Sequence, residues 1–334
     1  MQTLKIVIPM AGFGTRLRPQ TWSRPKQLLN IAGKTVIEHV MAQFDTLPED
    51  VEIEYIFIVG YLGEKIEAFM NERYPHLNVR YVVQAEMRGQ SHAIYLAKEY
   101  LSGPMLMVFA DTLIETDLST LGDDHIEGIT WVKPVPDPRR FGVAEVDANG
   151  LVKRLIEKPA EMDNNLAVVG FYYFRKAEAL IAAIETQIER DQQLKGEFFL
   201  ADAVNIMLER GLQMRTRQVQ IWLDAGTPQA MLDTNRYLLA HGSSNAPTRS
   251  TEGVAVIPPA FIHPEAEVQS SVIGPYASIG ANCKIENAVI SESILEDGAQ
   301  VSGMVLENSL IGQNSVIARE AAKINTGDNS KLTF

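Results

Sequence analysis

Between Gly12 and Lys26 an otherwise acidic chain gathers two glycines, a threonine and four fixed cations, in Gly12-Phe13-Gly14-Thr15-Arg16-Leu17-Arg18-Pro19 followed by Arg24 and Lys26. The loop follows an apolar run, Leu4 to Met10, and a glycine loop after a strand can bring backbone N–H groups to a phosphate. A side chain at the glycines would block that approach and forbid positive φ. Four cations this close together suit a ligand with several negative charges, such as a triphosphate. A simple strand-to-helix turn beside a solvated basic face would use the same residues. The loop has neither the third glycine of the dinucleotide fingerprint nor the Gly-Lys-Ser/Thr of the common phosphate loop.

Two aspartates are the next candidates. Asp111 follows the apolar run Met105 to Ala110, which places a carboxylate at the carboxyl end of a strand, where open α/β sheets bind ligands. Asp224 lies in Ile221-Trp222-Leu223-Asp224-Ala225-Gly226-Thr227-Pro228. Each could hold a metal, form a turn or cap a helix. Gln84 and Gly89, in Val83-Gln84-Ala85-Glu86-Met87-Arg88-Gly89-Gln90-Ser91, admit either ligand contact or a loop and helix cap.

Positioning these residues requires a sheet. The runs Leu4 to Met10, Tyr55 to Val59, Val79 to Val83 and Met105 to Ala110 are too short for helices and rich in β-branched or aromatic residues, so they read as buried strands. Between them Val36, Ile37, Val40, Met41 and Phe44, then Ile66, Phe69 and Met70, recur at helical spacing and would cover the sheet. The alternation predicts an α/β domain with a Rossmann-like, mostly parallel sheet. Phe141 to Asp147 and Leu151 to Glu157, around Asn149 and Gly150, read as a hairpin. Thr227-Pro228 starts a helix that Gly242 can stop, and that helix is expected to close a domain spanning 1–241.

Residues 242–253 contain almost no large apolar side chain and read as a linker. Beyond it aliphatic residues recur every five or six positions, at Ile262, Val268, Ile273, Ile279, Ile285, Ile290, Leu295, Val301, Leu306, Ile311 and Ile317. This hexapeptide period is the signature of a parallel β-helix, with one aliphatic side chain per flat side pointing into a narrow interior. It predicts fewer than four coils over 254–320, then a tail over 321–334.

The continuation Ser23-Arg24-Pro25-Lys26-Gln27-Leu28-Leu29 gives the glycine loop a context. Here the chain resembles the sugar-phosphate nucleotidylyltransferase family, whose first motif is Gly-x-Gly-Thr-Arg-Leu with Pro-Lys or Ser-Lys about ten residues on. The resemblance implies that Arg16 and Lys26 neutralise a nucleoside triphosphate and that Gly12, Gly14 and Thr15 cradle its phosphates. It implies Mg2+ held by Asp111 and Asp224, with Gln84 and Gly89 at the base. By the same resemblance Gly142 and Gly170 make room for a sugar, Glu157 accepts from its hydroxyls and Lys158 holds its phosphate. Gly196-Glu197 and Asp202 would support the sugar loop, and the β-helix would be left-handed. Two carboxylates about 4 Å apart repel by roughly 4 kcal/mol at an effective dielectric near 20, so a cation between them fits. Met10 and Asn30 depart from the family's usual small residue and proline.

The expected reaction is transfer of a nucleotidyl group to a sugar 1-phosphate with release of pyrophosphate. Lys26-Gln27-Leu28-Leu29 looks most like long-form glucose-1-phosphate thymidylyltransferases, which favours dTTP or UTP with glucose 1-phosphate. Mannose-1-phosphate guanylyltransferases share the outline but usually place proline where Gln27 stands. A catalytically inactive nucleotide-sugar-binding protein would be expected to have lost a charged motif residue, and all are present. Acyl transfer by the β-helix would need a long helix and a catalytic base, and His263 alone stands at the start of the repeats. An oligomerisation or regulatory platform is the expected role, with a homo-oligomer as its product.

Bulk composition narrows the remaining classes. The chain has 334 residues, 46% hydrophobic and 22% charged, with a net charge of −12, which argues against a general nucleic-acid binder. No apolar stretch approaches the roughly 20 residues of a membrane helix, and the N-terminus lacks the pattern of a secretory signal, so a cytoplasmic location is expected. The single cysteine, Cys283, excludes an internal disulfide and reads as a small buried apolar residue.

Overall fold

The computed structural model describes residues 3–122, 126–246, 253–319 and 331. The chain packs into two compact units, Met1–Leu29 with Lys34–Met231, and Asn30–Gly33 with Leu232–Phe334. The helix Pro228–Leu238, started by the Thr227 hydroxyl accepting from the Ala230 N–H at 3.2 Å, therefore contributes its later turns to the second unit. The tail from 321 onward, Lys331 apart, and linker residues 247–252 lie outside the described residues.

The first unit is built on a nine-stranded sheet. Its spine runs Val152–Glu157, Gly142–Val146, Leu166–Phe174, Met105–Val108, Leu4–Pro9, Ile53–Val59, Val79–Val83, and Gly128–Pro134 joins Leu166–Phe174 to Met214–Gln218. Leu4–Pro9 pairs in parallel with both Met105–Val108 and Ile53–Val59, and Ile53–Val59 with Val79–Val83. Those four strands are the runs read from the sequence, and their parallel sense sends all four carboxyl ends to one edge. Ile6, Val7, Ile8, Leu106, Met107 and Val108 are fully buried, each worth about 1.5–3 kcal/mol of transfer free energy. Three of the four parallel strands read as nearly continuous apolar runs because helices cover the sheet, whereas Val79–Val83 is the edge strand and, against the expectation of a buried one, is half-exposed, with Val83 67% exposed.

One ion cluster is fixed by this register. Lys5 stands opposite Glu54, and the Lys5 ammonium and the Arg80 Nε, at 2.7 Å, both donate to the Glu54 carboxylate. The covering helices have simple causes too. Val36–Ala42 begins with a capping box, Thr35 accepting from the Glu38 N–H and the Glu38 carboxylate accepting from the Thr35 N–H. Ala177–Glu189 and Leu200–Glu209 bury Leu180, Ala183, Ile184, Ala203 and Val204 in one cluster beneath the sheet. Ile184→Ala would open a cavity there and cost about 2–5 kcal/mol.

Among the described residues of the second unit, twelve short strands form three parallel sheets of four. Ile262, Ile279, Leu295 and Ile311 stack in register on one side, and Val268, Ile285, Val301 and Ile317 on another. This is the expected parallel β-helix, consistent with the left-handed form. Val254–Val256 opens the first side upstream of Ile262, so each side has four rungs where the sequence period gave fewer than four coils. The short Val-Ala-Val run precedes the regular repeat, and the period could not mark it. Asparagines such as Asn287, Asn308 and Asn314 turn corners at positive φ, which their side chains tolerate. Gly303 needs its hydrogen, since a Cβ there would stand 2.5 Å from the Arg319 carbonyl oxygen.

The Asn30 departure has a physical role in this unit. Its N–H and Nδ2 donate to Oε1 and Oε2 of the buried Glu296 at 2.8 and 2.9 Å, and a proline would have no N–H to give. Cys283 is buried in the β-helix core, and burial pushes its thiol up to about 11. No helix among the described residues is long and apolar enough to cross a membrane.

Candidate active site

The carboxyl ends of the parallel strands open into a cleft of about 550 Å³ within the first unit. The glycine loop leaves Leu4–Pro9, Gln84 leaves Val79–Val83 and Asp111 follows Met105–Val108, so three distant sequence segments meet because their strands run side by side. Asp224 ends Trp222–Asp224, which pairs antiparallel with Thr112–Ile114 and places Asp224 opposite Thr112. The Ala225 N–H donating to the Asp111 carbonyl at 3.0 Å ties the two carboxylate segments together.

Charge is concentrated at this meeting point. Lys26 Nζ donates to Asp111 Oδ2 at 2.5 Å. Burial pushes the Asp111 carboxyl up, but Lys26 and then Arg16 outweigh it and hold the group below its ordinary range. Asp224 goes the other way: burial and then the negative charge of Asp111 raise it, against an N–H donated by Gly226 at 2.8 Å. A Cβ on Gly226 would stand 3.0 Å from Asp224 Oδ1 and 3.3 Å from Asp111 Oδ2, so the missing side chain keeps the space between the carboxylates clear. Among the described residues no cluster of three or more His, Cys, Asp or Glu side chains is arranged to hold a metal. Two aspartates suit a hard cation that takes its remaining oxygens from a ligand and water.

The glycines divide by cause. Gly14 has φ +61 and accepts through its carbonyl from the Thr21 hydroxyl at 2.8 Å, so it shapes the loop and is not itself a lining residue. Gly12 lines the cleft, and a Cβ there would meet nothing within 4 Å, so no neighbouring protein atom demands glycine. Gly89, at φ +94, is demanded by the Phe198 backbone, which would stand 2.5 Å from its Cβ. Gly170, at φ +79, is demanded by the Phe109 ring, 2.2 Å from a Cβ. Gly142 faces Glu157, whose Oε2 would be 3.1 Å from a Cβ.

The far end of the cleft comes from the antiparallel strands. The hairpin aligns Gly142 with Glu157, and Lys158 follows with its ammonium 4.5 Å from the Phe199 ring centroid. Burial raises the Glu157 carboxyl; Lys158 opposes this, and Asp202 adds to it. Thr15, Arg16, Lys26, Gln84, Gly89, Asp111, Gly142, Glu157, Lys158, Gly170 and Asp224 all line the cleft, whereas Arg18 and Arg24 are not among its lining residues. Glu197, expected as support, also lines it, as do Arg140, Tyr172 and Trp222. Arg140 was legible only as the second of two adjacent arginines before Phe141-Gly142; Arg139 turns to Asp137 at 2.7 Å. Trp222 stands edge-on to Phe141 at 4.9 Å.

Residues 5–241 match the family described as nucleotidyl transferase, and residues 256–327 match the GMPPB C-terminal domain. A low-salt glycan biosynthesis nucleotidyltransferase, Agl11, of Haloferax volcanii is 30% identical over 98% of this chain and 99% of its own length. A glucose-1-phosphate thymidylyltransferase of Streptomyces antibioticus is 29% identical over the same shares. A crystal structure of UDP-glucose pyrophosphorylase complexed with UDP-glucose superposes with a TM-score of 0.62 at 20% identity, over 72% of this chain and all of that one, a likeness of fold. The chain belongs to the nucleotidyl transferase family, as one of its sugar-phosphate nucleotidyltransferases.

Proposed function

We propose that the cleft transfers a nucleotidyl group from dTTP or UTP to glucose 1-phosphate with the assistance of Mg2+. The observation that carries this reading is the pair Asp111 and Asp224 with the space beside them left clear by the missing side chain of Gly226, and with Lys26 and Arg16 next to them, at the open edge of the sheet. When bound, the cation would neutralise charge on the triphosphate as pyrophosphate leaves. Asp111 and Asp224 would hold it.

The rest is the work of the chain. Arg16 and Lys26 neutralise the triphosphate, while Gly12 and Thr15 let backbone N–H groups approach it. Lys158 holds the phosphate of the sugar, and Glu157 accepts hydrogen bonds from its hydroxyls. A phosphate monoester, with a second pKa near 6, is largely dianionic at neutral pH, so its oxygen needs placement more than deprotonation before in-line attack on the α-phosphorus. No side-chain nucleophile is required.

A second reading keeps its place. Gln27, on which thymidylyl was favoured over guanylyl transfer, is buried with its Nε2 3.4 Å from the Met10 carbonyl, and it is not among the cleft-lining residues. Its type therefore fixes loop packing, and guanylyl transfer to mannose 1-phosphate stands as the alternative. The deciding experiment measures pyrophosphate release with Mg2+, crossing dTTP, UTP, GTP, CTP and ATP against glucose, mannose, galactose and N-acetylglucosamine 1-phosphates. Dominance of dTTP or UTP with glucose 1-phosphate supports the reading, dominance of GTP with mannose 1-phosphate replaces it, and no turnover anywhere abandons both.

The β-helix is assigned as an oligomerisation platform, supported by a column of outward valines, Val272, Val289 and Val305, of which Val305 is 75% exposed. A monomer by analytical ultracentrifugation at micromolar concentration removes that assignment.

A further inference from the structure

We infer that His92 is a positioning residue that locks the side-chain amide of Gln84, so that the cleft selects nucleobases presenting a ring N–H at the centre of the Watson–Crick edge and rejects cytosine and adenine. The inference rests on the reading that Gln84 faces the base.

Gln84 is buried, 4% exposed, directly after Val79–Val83, and it is among the residues that line the cleft. The amide nitrogen lies 3.2 Å from the Gly89 carbonyl oxygen and 3.2 Å from His92 Nδ1. Which end of an amide is nitrogen follows from its partners, and here the partner decides. A backbone carbonyl can only accept, so the group facing Gly89 must be the NH2. One hydrogen goes to Gly89 and the other to His92, which requires a lone pair on Nδ1 and therefore the tautomer protonated at Nε2. Burial and then Arg88 lower the His92 basicity, against an opposing Glu86, which favours the neutral ring that this bond needs.

The Gly89 carbonyl is itself held rigidly. The Phe198 backbone closes on Gly89 from one side, the Ser91 N–H donates to the Phe198 carbonyl at 3.1 Å, and the Phe198 N–H donates to the Arg88 carbonyl at 2.9 Å. With both amide hydrogens committed, Gln84 has its carbonyl oxygen left to offer a ligand. An acceptor there pairs with N3–H of uracil or thymine, or N1–H of guanine. It faces a lone pair on N3 of cytosine or N1 of adenine, leaving two acceptors opposed. Gly89 sets the direction of the amide, and with His92 in the Nε2-protonated tautomer a flip would lose two bonds where Gly89 alone would make it lose one.

The experiment measures kcat/KM of the full-length enzyme for UTP and CTP with one sugar 1-phosphate, in wild type, His92→Leu, His92→Asn and Gln84→Ala. Asparagine can place an acceptor oxygen where Nδ1 stands; leucine cannot. The expected result is a wild-type preference for UTP that falls about tenfold in His92→Leu and is kept in His92→Asn, the scale of one hydrogen bond. Thermal unfolding midpoints identify a variant that has lost its fold, and in that case His92→Phe takes the place of leucine. An unchanged UTP-to-CTP ratio in folded His92→Leu, or a wild-type preference for CTP or ATP, overturns the inference. If Gln84→Ala leaves the nucleotide KM unaltered, the reading that Gln84 faces the base fails instead.

Discussion

Lys26 Nζ donates to Asp111 Oδ2 at 2.5 Å, joining residues that are 85 positions apart in the chain. The bond sets a cation of the glycine-loop segment against a carboxylate that Asp224 also crowds. Asp111→Asn should lower kcat by about 100-fold or more in a pyrophosphate-release assay, since it removes one of the two carboxylates proposed to hold the Mg2+ that neutralises the leaving group. Asp224→Ala should do the same; activity within about tenfold of wild type at saturating Mg2+ would take Asp224 out of the proposed metal site.

Gly226→Ala tests the space between the same carboxylates without touching either. Its backbone is outside the left-handed region, so alanine should fold, but the new Cβ would press on both Asp224 and Asp111. The expected outcome is an apparent Mg2+ requirement raised about fivefold or more with an unfolding free energy changed by less than about 1 kcal/mol. A Mg2+ titration that overlays the wild type would show that the gap is wider than proposed.

Lys158→Ala should raise KM for the sugar 1-phosphate by at least about tenfold while altering the nucleotide KM far less, the signature of a lost charge-assisted contact to one substrate. Equal increases in both would contradict its assignment.

Gly170→Ala should fail as a fold before it fails as a catalyst. Alanine at φ +79 with a Cβ driven into the Phe109 ring is expected to cost about 2–4 kcal/mol in denaturant unfolding. A stable Gly170→Ala protein with only a sugar defect would restore the simpler idea that this glycine merely makes room.

Glu54 predicts a pH dependence of stability. Burial raises its carboxyl, but Lys5 and Arg80 together hold it below the ordinary value. A depressed folded-state pKa means stability that is present above the unfolded value, near 4.3, and lost as pH falls through the folded value. Glu54→Gln should cost about 2–4 kcal/mol at pH 7, because it leaves the Lys5 ammonium uncompensated. The gap between wild type and variant should shrink steadily below pH 4; a gap independent of pH would assign the loss to shape alone.

The candidate site was legible wherever chemistry demands a residue type regardless of neighbours. Asp111 and Asp224 are charged groups beside apolar runs, and Arg16, Lys26 and Lys158 stand in the short motifs that carry the family resemblance; a linear pattern records both facts. Gly170 and Gly89 were legible as glycines but not by cause, because Phe109 and Phe198, which demand them, lie far away in sequence. Gln27 was likewise legible by type but not by cause: its burial against Met10 is a property of the folded loop.

By itself the sequence determined the strand runs, the hexapeptide period and the identity of the charged groups, since periodicity and composition are local properties that side-chain volume and hydration impose residue by residue. Tertiary structure alone decided that the strands bearing the glycine loop, Gln84 and Asp111 run parallel and side by side, that Asp224 returns opposite Thr112, and that Glu296 holds Asn30. It also decided which way the Gln84 amide faces. Each of these depends on pairing between segments distant in the chain, and the free energy of such pairing comes from register and burial that exist only once the sheet has formed.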